Sequence, residues 1–253
     1  MEENNGNTTF WEHLDVLRSV VIRIILAVTV CGILAFIFKD TLFDVLLAPK
    51  DSGFVTYRML GVDEFNVHLV NVGLTEQFMV HMKAAVAVGI LCASPYIIYA
   101  LYGFIAPALY ENELRYASRI AGSGYVMFLT GVLINYFLVF PLTVRFLGTY
   151  SVSQDVENML SLASYMDTLL MMSLVFGIIF EIPVVSYLLG KAGLLRSQWM
   201  TTYRRHAIVI ILIIAAVITP TSDMFTLLIV SLPIWLLYEA SIMLVRTTEK
   251  SQE

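Results

Sequence analysis

Charge is scarce in this chain of 253 residues: Asp, Glu, Lys and Arg make up 14%, against about 25% in ordinary globular proteins. A soluble fold could not hide 58% apolar residues behind so few polar ones. Basic excess is also missing, with a net charge of −5, which excludes nucleic-acid binding. Cysteine is nearly absent. Cys31 and Cys92 each sit inside an apolar run and read as small hydrophobes, with no disulfide framework or metal pair. There is no H-E-x-x-H or G-x-S-x-G pattern, and the four histidines (His13, His68, His81, His206) are scattered. Neither a catalytic site nor a metal or cofactor is expected from this pattern. No internal repeat occurs, and the longest polar stretch, Lys39–Gln77, is too small for a nucleotide-binding domain. Energy from ATP, if used, has to come through another chain. The acidic start MEENNGNTTFWEH lacks the basic region of a secretory signal, so the first apolar run is expected to be kept.

What is present is a series of long uncharged runs, and a helix needs about 20 apolar residues to cross a bilayer. Ile24–Phe38 reaches that length through Val20, with Arg23 snorkelling to the interface. Ala84–Tyr110 and Ile120–Val144 carry no charge, Tyr165–Leu189 carries only Glu181, and Ala207–Tyr238 carries only Asp223. The last run is too short for two full spans. It is also too long for one helix through Pro220, so it divides at the Thr219–Asp223 turn. These features predict an all-α integral membrane protein with six transmembrane helices at 20–38, 84–104, 120–141, 165–189, 207–219 and 224–243, the last two short. Ten Lys and Arg residues fall on the side of both termini and five on the other. By the positive-inside rule both termini are cytoplasmic.

Glu181 is the clearest anomaly, since an acid at mid-depth is costly. It is either hydrogen-bonded to a neighbouring helix or serves as a proton relay or a contact for a partner's helix. A small-solute transporter built on Glu181 is the alternative function, although no internal repeat supports it. Glu239 and Asp223 read as local anchors. Trp11, Tyr116, Trp199 and Tyr203 fall at span ends, where aromatic residues collect. The loop Phe104-Ile-Ala-Pro-Ala-Leu-Tyr-Glu-Asn-Glu-Leu-Arg115 sets Glu111 and Glu113 at a membrane surface beside apolar residues. Such carboxylates can accept charge-assisted bonds from Arg or Lys of a ligand, or simply pair with Arg115.

The stretch FIAPALYENE closely resembles the signature of TatC, the multi-span receptor of the bacterial twin-arginine protein translocase. The segment from Phe10 to Arg18, with His13, Leu14, Asp15 and Arg18, looks like the family's F-x-x-H-L-x-E-L-R element. Ala48-Pro49, Ser94-Pro95, Tyr136-Phe137-x-x-Phe140-Pro141, Phe180-Glu181-Ile182-Pro183 and Thr219-Pro220 with Asp223 follow in family order. The resemblance implies a concave, glove-like arrangement in the bacterial cytoplasmic (inner) membrane. It implies a non-enzymatic subunit that binds Arg-Arg signal peptides of folded cargo at the cytoplasmic face. It also implies self-association and recruitment of single-span TatA- and TatB-type partners for export driven by the proton-motive force. By position the principal signal-peptide carboxylate falls on Glu113, with Phe104 and Arg115 beside it, and the family's polar position in span four falls on Glu181. Pro49, Pro95 and Asp223 are grouped with Glu181 as candidate partner-helix or intramembrane positions. One departure stands out: the family's Glu in H-L-x-E-L-R is Val16 here. Asp15 points about 100° away on a helix. The second acceptor is therefore Asp15 reaching round, Glu111, or none, and we favour Glu111, two residues from Glu113.

Overall fold

The apolar runs become helices in a computed structural model that describes residues 10–61, 65, 67–109, 114–150, 159–219 and 223–250, without the side chains at 10–13, 105–109, 114–118 and 250. In chain order the helices are α1 (Phe10–Ile37), α2 (Lys39–Leu47), α3 (Val55–Met59), α4 (Glu76–Leu109), α5 (Leu114–Ile134), α6 (Phe140–Thr149), α7 (Leu162–Ile179), α8 (Ile182–Lys191), α9 (Ser197–Thr202), α10 (Arg204–Ile218) and α11 (Met224–Lys250). Two short strands, β1 (His68–Val70) and β2 (Met159–Ser161), pair in parallel with His68 opposite Met159.

Five helical stretches among the described residues are long and apolar enough to cross a membrane: Leu14–Ile37, Glu76–Phe104, Arg119–Thr149, Leu162–Lys191 and Met224–Glu249. The 15 residues of α10 rise about 22 Å at 1.5 Å per residue, short of a ~30 Å hydrocarbon core. An Arg204–Glu239 ion pair of 2.8 Å fastens the start of α10 to α11.

The third long helix does not stop at Pro141, where its sequence suggests an end. A π-turn at Asn135–Val139 joins α5 to α6, and Pro141 sits in the first turn of α6, where its missing N–H costs little. The carbonyl it leaves without a helical donor belongs to Phe137, and the Thr56 hydroxyl donates to that oxygen. Pro95, inside α4, frees the carbonyl of Leu91 in the same way, and the Ser94 hydroxyl donates to it at 2.6 Å. Each of these two prolines therefore comes with a hydroxyl that meets the carbonyl it strands.

The molecule has two ends. At one, α2 and α3 form a cap. Tyr57, fully buried, points its hydroxyl at the carbonyls of Pro49 (2.9 Å) and Pro141 (2.8 Å). Burial holds its phenol well above the usual tyrosine range, so the group remains a donor. Glu76, at the start of α4, accepts from the N–H groups of Gly73 (2.8 Å), Val72 (3.0 Å) and Ala163 (2.9 Å) and from Ser161 Oγ (2.9 Å), tying the cap loop to the start of α7. The opposite end gathers the start of α1, the end of α4, the start of α5, the end of α8 and the end of α11. There Glu249 accepts from the Ser197 backbone N–H at 2.8 Å and from its hydroxyl.

The cap bonds make a test possible. Thr56→Val leaves the Phe137 carbonyl without its donor, and Tyr57→Phe removes the single O–H that the Pro49 and Pro141 carbonyls share. Each loss is worth about 1–3 kcal/mol for a buried polar group. Both variants should melt several degrees lower in a thermal scan in detergent, and Thr247→Val, at an exposed hydroxyl on α11, should not.

Candidate functional site

Helix α1 packs along α4, and the contacts fix how the two are aligned. Phe36 stacks on His81 with ring centroids 4.0 Å apart, and a Cβ on Gly89 would lie 2.8 Å from Gly32 Cα and 3.0 Å from the Val28 carbonyl. Residue numbers fall on one helix as they rise on the other, so the pair is antiparallel. Glycine at 89 lets the two backbones approach directly. From this crossing α1 runs back to Asp15 over about 25 Å, and α4 runs forward to Phe104 over about 22 Å. Asp15 and Arg18, both exposed, are thereby carried to the level of Phe104, which is half-buried. Leu14 is exposed beside them. The side chains of His13 and Arg115 lie outside the described residues, as do Glu111 and Glu113 altogether. The ends of α4 and α5 that flank 110–113 belong to this same end of the molecule.

Glu181 occupies the break between α7 and α8. Pro183 cannot donate to Ile179, and the chain tightens, with the Glu181 N–H donating to Ile178 at 3.0 Å. The Glu181 carboxyl projects toward α4, where Tyr102 donates its hydroxyl to Oε2 at 2.9 Å. Its other oxygen, Oε1, is buried with no hydrogen-bond partner among the described residues. Gly124 on α5 completes the pocket. A Cβ there would stand 2.8 Å from the Tyr102 ring and 3.0 Å from Glu181 Oε2. Apolar Ile98, Ala121, Phe128, Val184 and Leu188 surround Tyr102. The result is one acid, held by one phenol, with an acceptor position left over.

The other positions grouped with Glu181 do not converge on it. Pro49 lies in the cap. Asp223 caps α11 by accepting from the Thr226 N–H at 2.7 Å. That helix start packs near the cap, because Phe225 stacks on Phe146 of α6 at 4.4 Å. Pro95 lies on α4 about two turns before Tyr102. Glu239 pairs with Arg204, a local anchor. The sequence did not single out Tyr102 or Gly124. An intramembrane acid signals that some donor is near, but α4 carries Tyr96, Tyr99 and Tyr102, and only the packing selects one. Lys83 and Asp167, paired across α4 and α7 at 2.7 Å, were equally invisible at 84 residues' separation.

Long apolar helices, an acid inside the helix bundle and little chain outside it define a multi-span helical membrane protein. Residues 12–233 match the family described as Sec-independent protein translocase protein (TatC). The chain belongs to the TatC family and is a subunit of a Sec-independent protein translocase. It is 30% identical to the TatC of Carboxydothermus hydrogenoformans, over 94% of this chain and 93% of that protein. With the TatC of Aquifex aeolicus the identity is 34% over 96% of this chain and 97% of the relative. A crystal structure of the twin-arginine translocase receptor TatC superposes with a TM-score of 0.80 at 34% identity, covering 94% of this chain and all of that one. These relatives favour protein translocation over transport of a small solute through Glu181.

Proposed function

We propose that this chain is the signal-peptide receptor of a twin-arginine translocase in the bacterial inner membrane. It crosses the bilayer six times with both termini in the cytoplasm, α10 being the short fifth span. Arg-Arg signal peptides of folded cargo bind at the cytoplasmic end, with Glu113 as principal acceptor and Phe104, Arg115, Leu14, His13, Asp15 and Arg18 around it. The chain then gathers TatA- and TatB-type single-span proteins for export driven by the proton-motive force and performs no chemistry of its own. The observation that carries this reading is the antiparallel register of α1 and α4. It brings the N-terminal element level with Phe104, on the helix that leads in sequence to the two carboxylates. The sequence assigns ten of the 15 Lys and Arg residues to the side of both termini, in keeping with a cytoplasmic face.

The chemistry favours Arg over Lys. A guanidinium presents a planar fork that a carboxylate takes up through two bonds, whereas an ammonium is a point charge. With Val16 in place of the family acid, the second acceptor is assigned to Glu111. Glu111→Gln should therefore weaken peptide binding several-fold and Asp15→Asn should not; the reverse order would remove Glu111 from the site.

A photo-crosslinking residue at Leu14 or at Phe104 should capture an Arg-Arg peptide, whereas one at Val72, at the cap end, should not. Capture at Val72 alone would overturn the proposal. Topology is checked in parallel on a Cys31→Ala, Cys92→Ala background. A cysteine at Gly53 should react with an impermeant maleimide in intact cells, and one at Gln252 only after permeabilisation.

A further inference from the structure

A groove of about 570 Å³ runs between α4 and α7 on the surface of the bundle, and its lining is apolar except at one place. Met82, Val86 and Ile90 form one wall, and Leu170, Met171 and Leu174 the other. The exception is the ion pair of Lys83 and Asp167, in which Nζ lies 2.8 and 2.7 Å from the two carboxylate oxygens. Both side chains stay about half exposed, at 55% and 48%. The level of this pair follows from the sequence of α4. Lys83 is the last charge before the uncharged run that begins at Ala84, and Phe104 lies about 32 Å further along the helix. Since that rise matches a ~30 Å hydrocarbon core, the ion pair stands at the hydrocarbon boundary on the cap side, with the groove descending from it.

We propose that this groove binds one ethanolamine phospholipid of the cap-side leaflet. An acyl chain lies against the methionine-lined walls, the lipid phosphate meets Lys83, and the primary ammonium meets Asp167. The ion pair has capacity for both contacts. An ammonium has three donors, of which two go to Asp167, and an ionised carboxylate offers about four acceptor directions. A headgroup carrying both signs satisfies both partners without breaking the pair. A choline headgroup has no N–H to give Asp167, and a glycerol headgroup brings no cation. A partner's transmembrane helix fits this surface less well, because helices associate through small residues that let backbones approach. Apart from Ala87 and Val86, the groove is lined with larger side chains around a charge pair, and among the described residues it holds no glycine or serine.

The test is native mass spectrometry of the full chain extracted from bilayers with equal ethanolamine, choline and glycerol phospholipids. The wild-type chain should retain one ethanolamine lipid in at least fivefold preference over the other two. Asp167→Asn should remove the preference for ethanolamine over choline. Met171→Trp, which fills the groove and leaves the ion pair intact, should reduce retention of all three lipids. An unchanged circular dichroism spectrum and melting curve qualify each variant as folded. Equal retention of the three lipids by the wild-type chain would overturn the proposal, as would a preference that survives both variants. So would capture of a single-span protein, in place of lipid, by a photo-crosslinker at Met171. Because no cargo peptide enters the assay, its outcome is independent of the receptor function proposed above.

Discussion

Replacing Glu113 with Gln should weaken binding of an Arg-Arg signal peptide by about ten- to a hundredfold and leave the helix content and melting of the protein unchanged. The magnitude follows from the bond being removed. A hydrogen bond to a charged group contributes about 1.5–3 kcal/mol, and every 1.4 kcal/mol is about a factor of ten in affinity. Glutamine keeps the size of the side chain but presents one oxygen and no charge, so the second arm of the guanidinium is left without an acceptor. Glu113→Asp keeps the charge on a shorter stem and should fall between the two. The neighbours set the controls. Phe104→Ala removes an apolar contact and should cost less than Glu113→Gln, whereas a change at Val72, at the cap end, should cost nothing. Full peptide affinity in the Glu113→Gln protein would remove this residue from the site.

The second large effect is expected at Gly124. A valine there drives its Cβ into the Tyr102 ring and Glu181 Oε2, at the 2.8 and 3.0 Å separations a Cβ would have. The ring is held by packing against Ile98 and Phe128, so the carboxyl and phenol are forced apart. Overpacking of this kind typically costs about 1–3 kcal/mol, and the Tyr102–Glu181 bond is lost with it. Export of a folded reporter should fall at least tenfold and the melting temperature should drop. Tyr102→Phe removes only the hydroxyl and should give a smaller loss of export and, because the buried Glu181 carboxyl loses its donor, a smaller drop in melting temperature than Gly124→Val. Adding Tyr102→Phe to Gly124→Val should produce little further loss, since the two changes break the same bond. Gly122→Val is the matched control, because a Cβ at that position meets nothing within 4 Å. If Gly124→Val exports as well as Gly122→Val, the Tyr102–Glu181 pair has no part in translocation.

Much of the fold could be read from charge alone. The uncharged runs that start at Ala84 and Ile120 lie within the two antiparallel helices joined across 110–113, and the shortage of residues before Pro220 became the 15-residue α10. Glu181 stood out because an acid in an apolar run has a large cost and few remedies. What the sequence could not convey were remedies supplied from far away. Pro141 looks like a helix end until Thr56, 81 residues before Phe137, is seen to satisfy the carbonyl that the proline strands. Glu76 reads as one more acid in an acidic loop, yet its two oxygens join that loop to Ser161 and Ala163. Gly124 carries no signal of its own, since its role is the space it leaves for two side chains on other helices. The proposed receptor site divides in the same way. The motif names its residues, and the structure adds the α1–α4 register that carries Asp15 and Arg18 to the level of Phe104.

The central claim is that this chain distinguishes a paired arginine from a paired lysine at its cytoplasmic end. The direct measurement is equilibrium binding of a fluorescent twin-arginine signal peptide, beside its twin-lysine counterpart, to the protein alone in nanodiscs. The account predicts at least tenfold tighter binding of the arginine peptide. Equal affinity for the two peptides would contradict it.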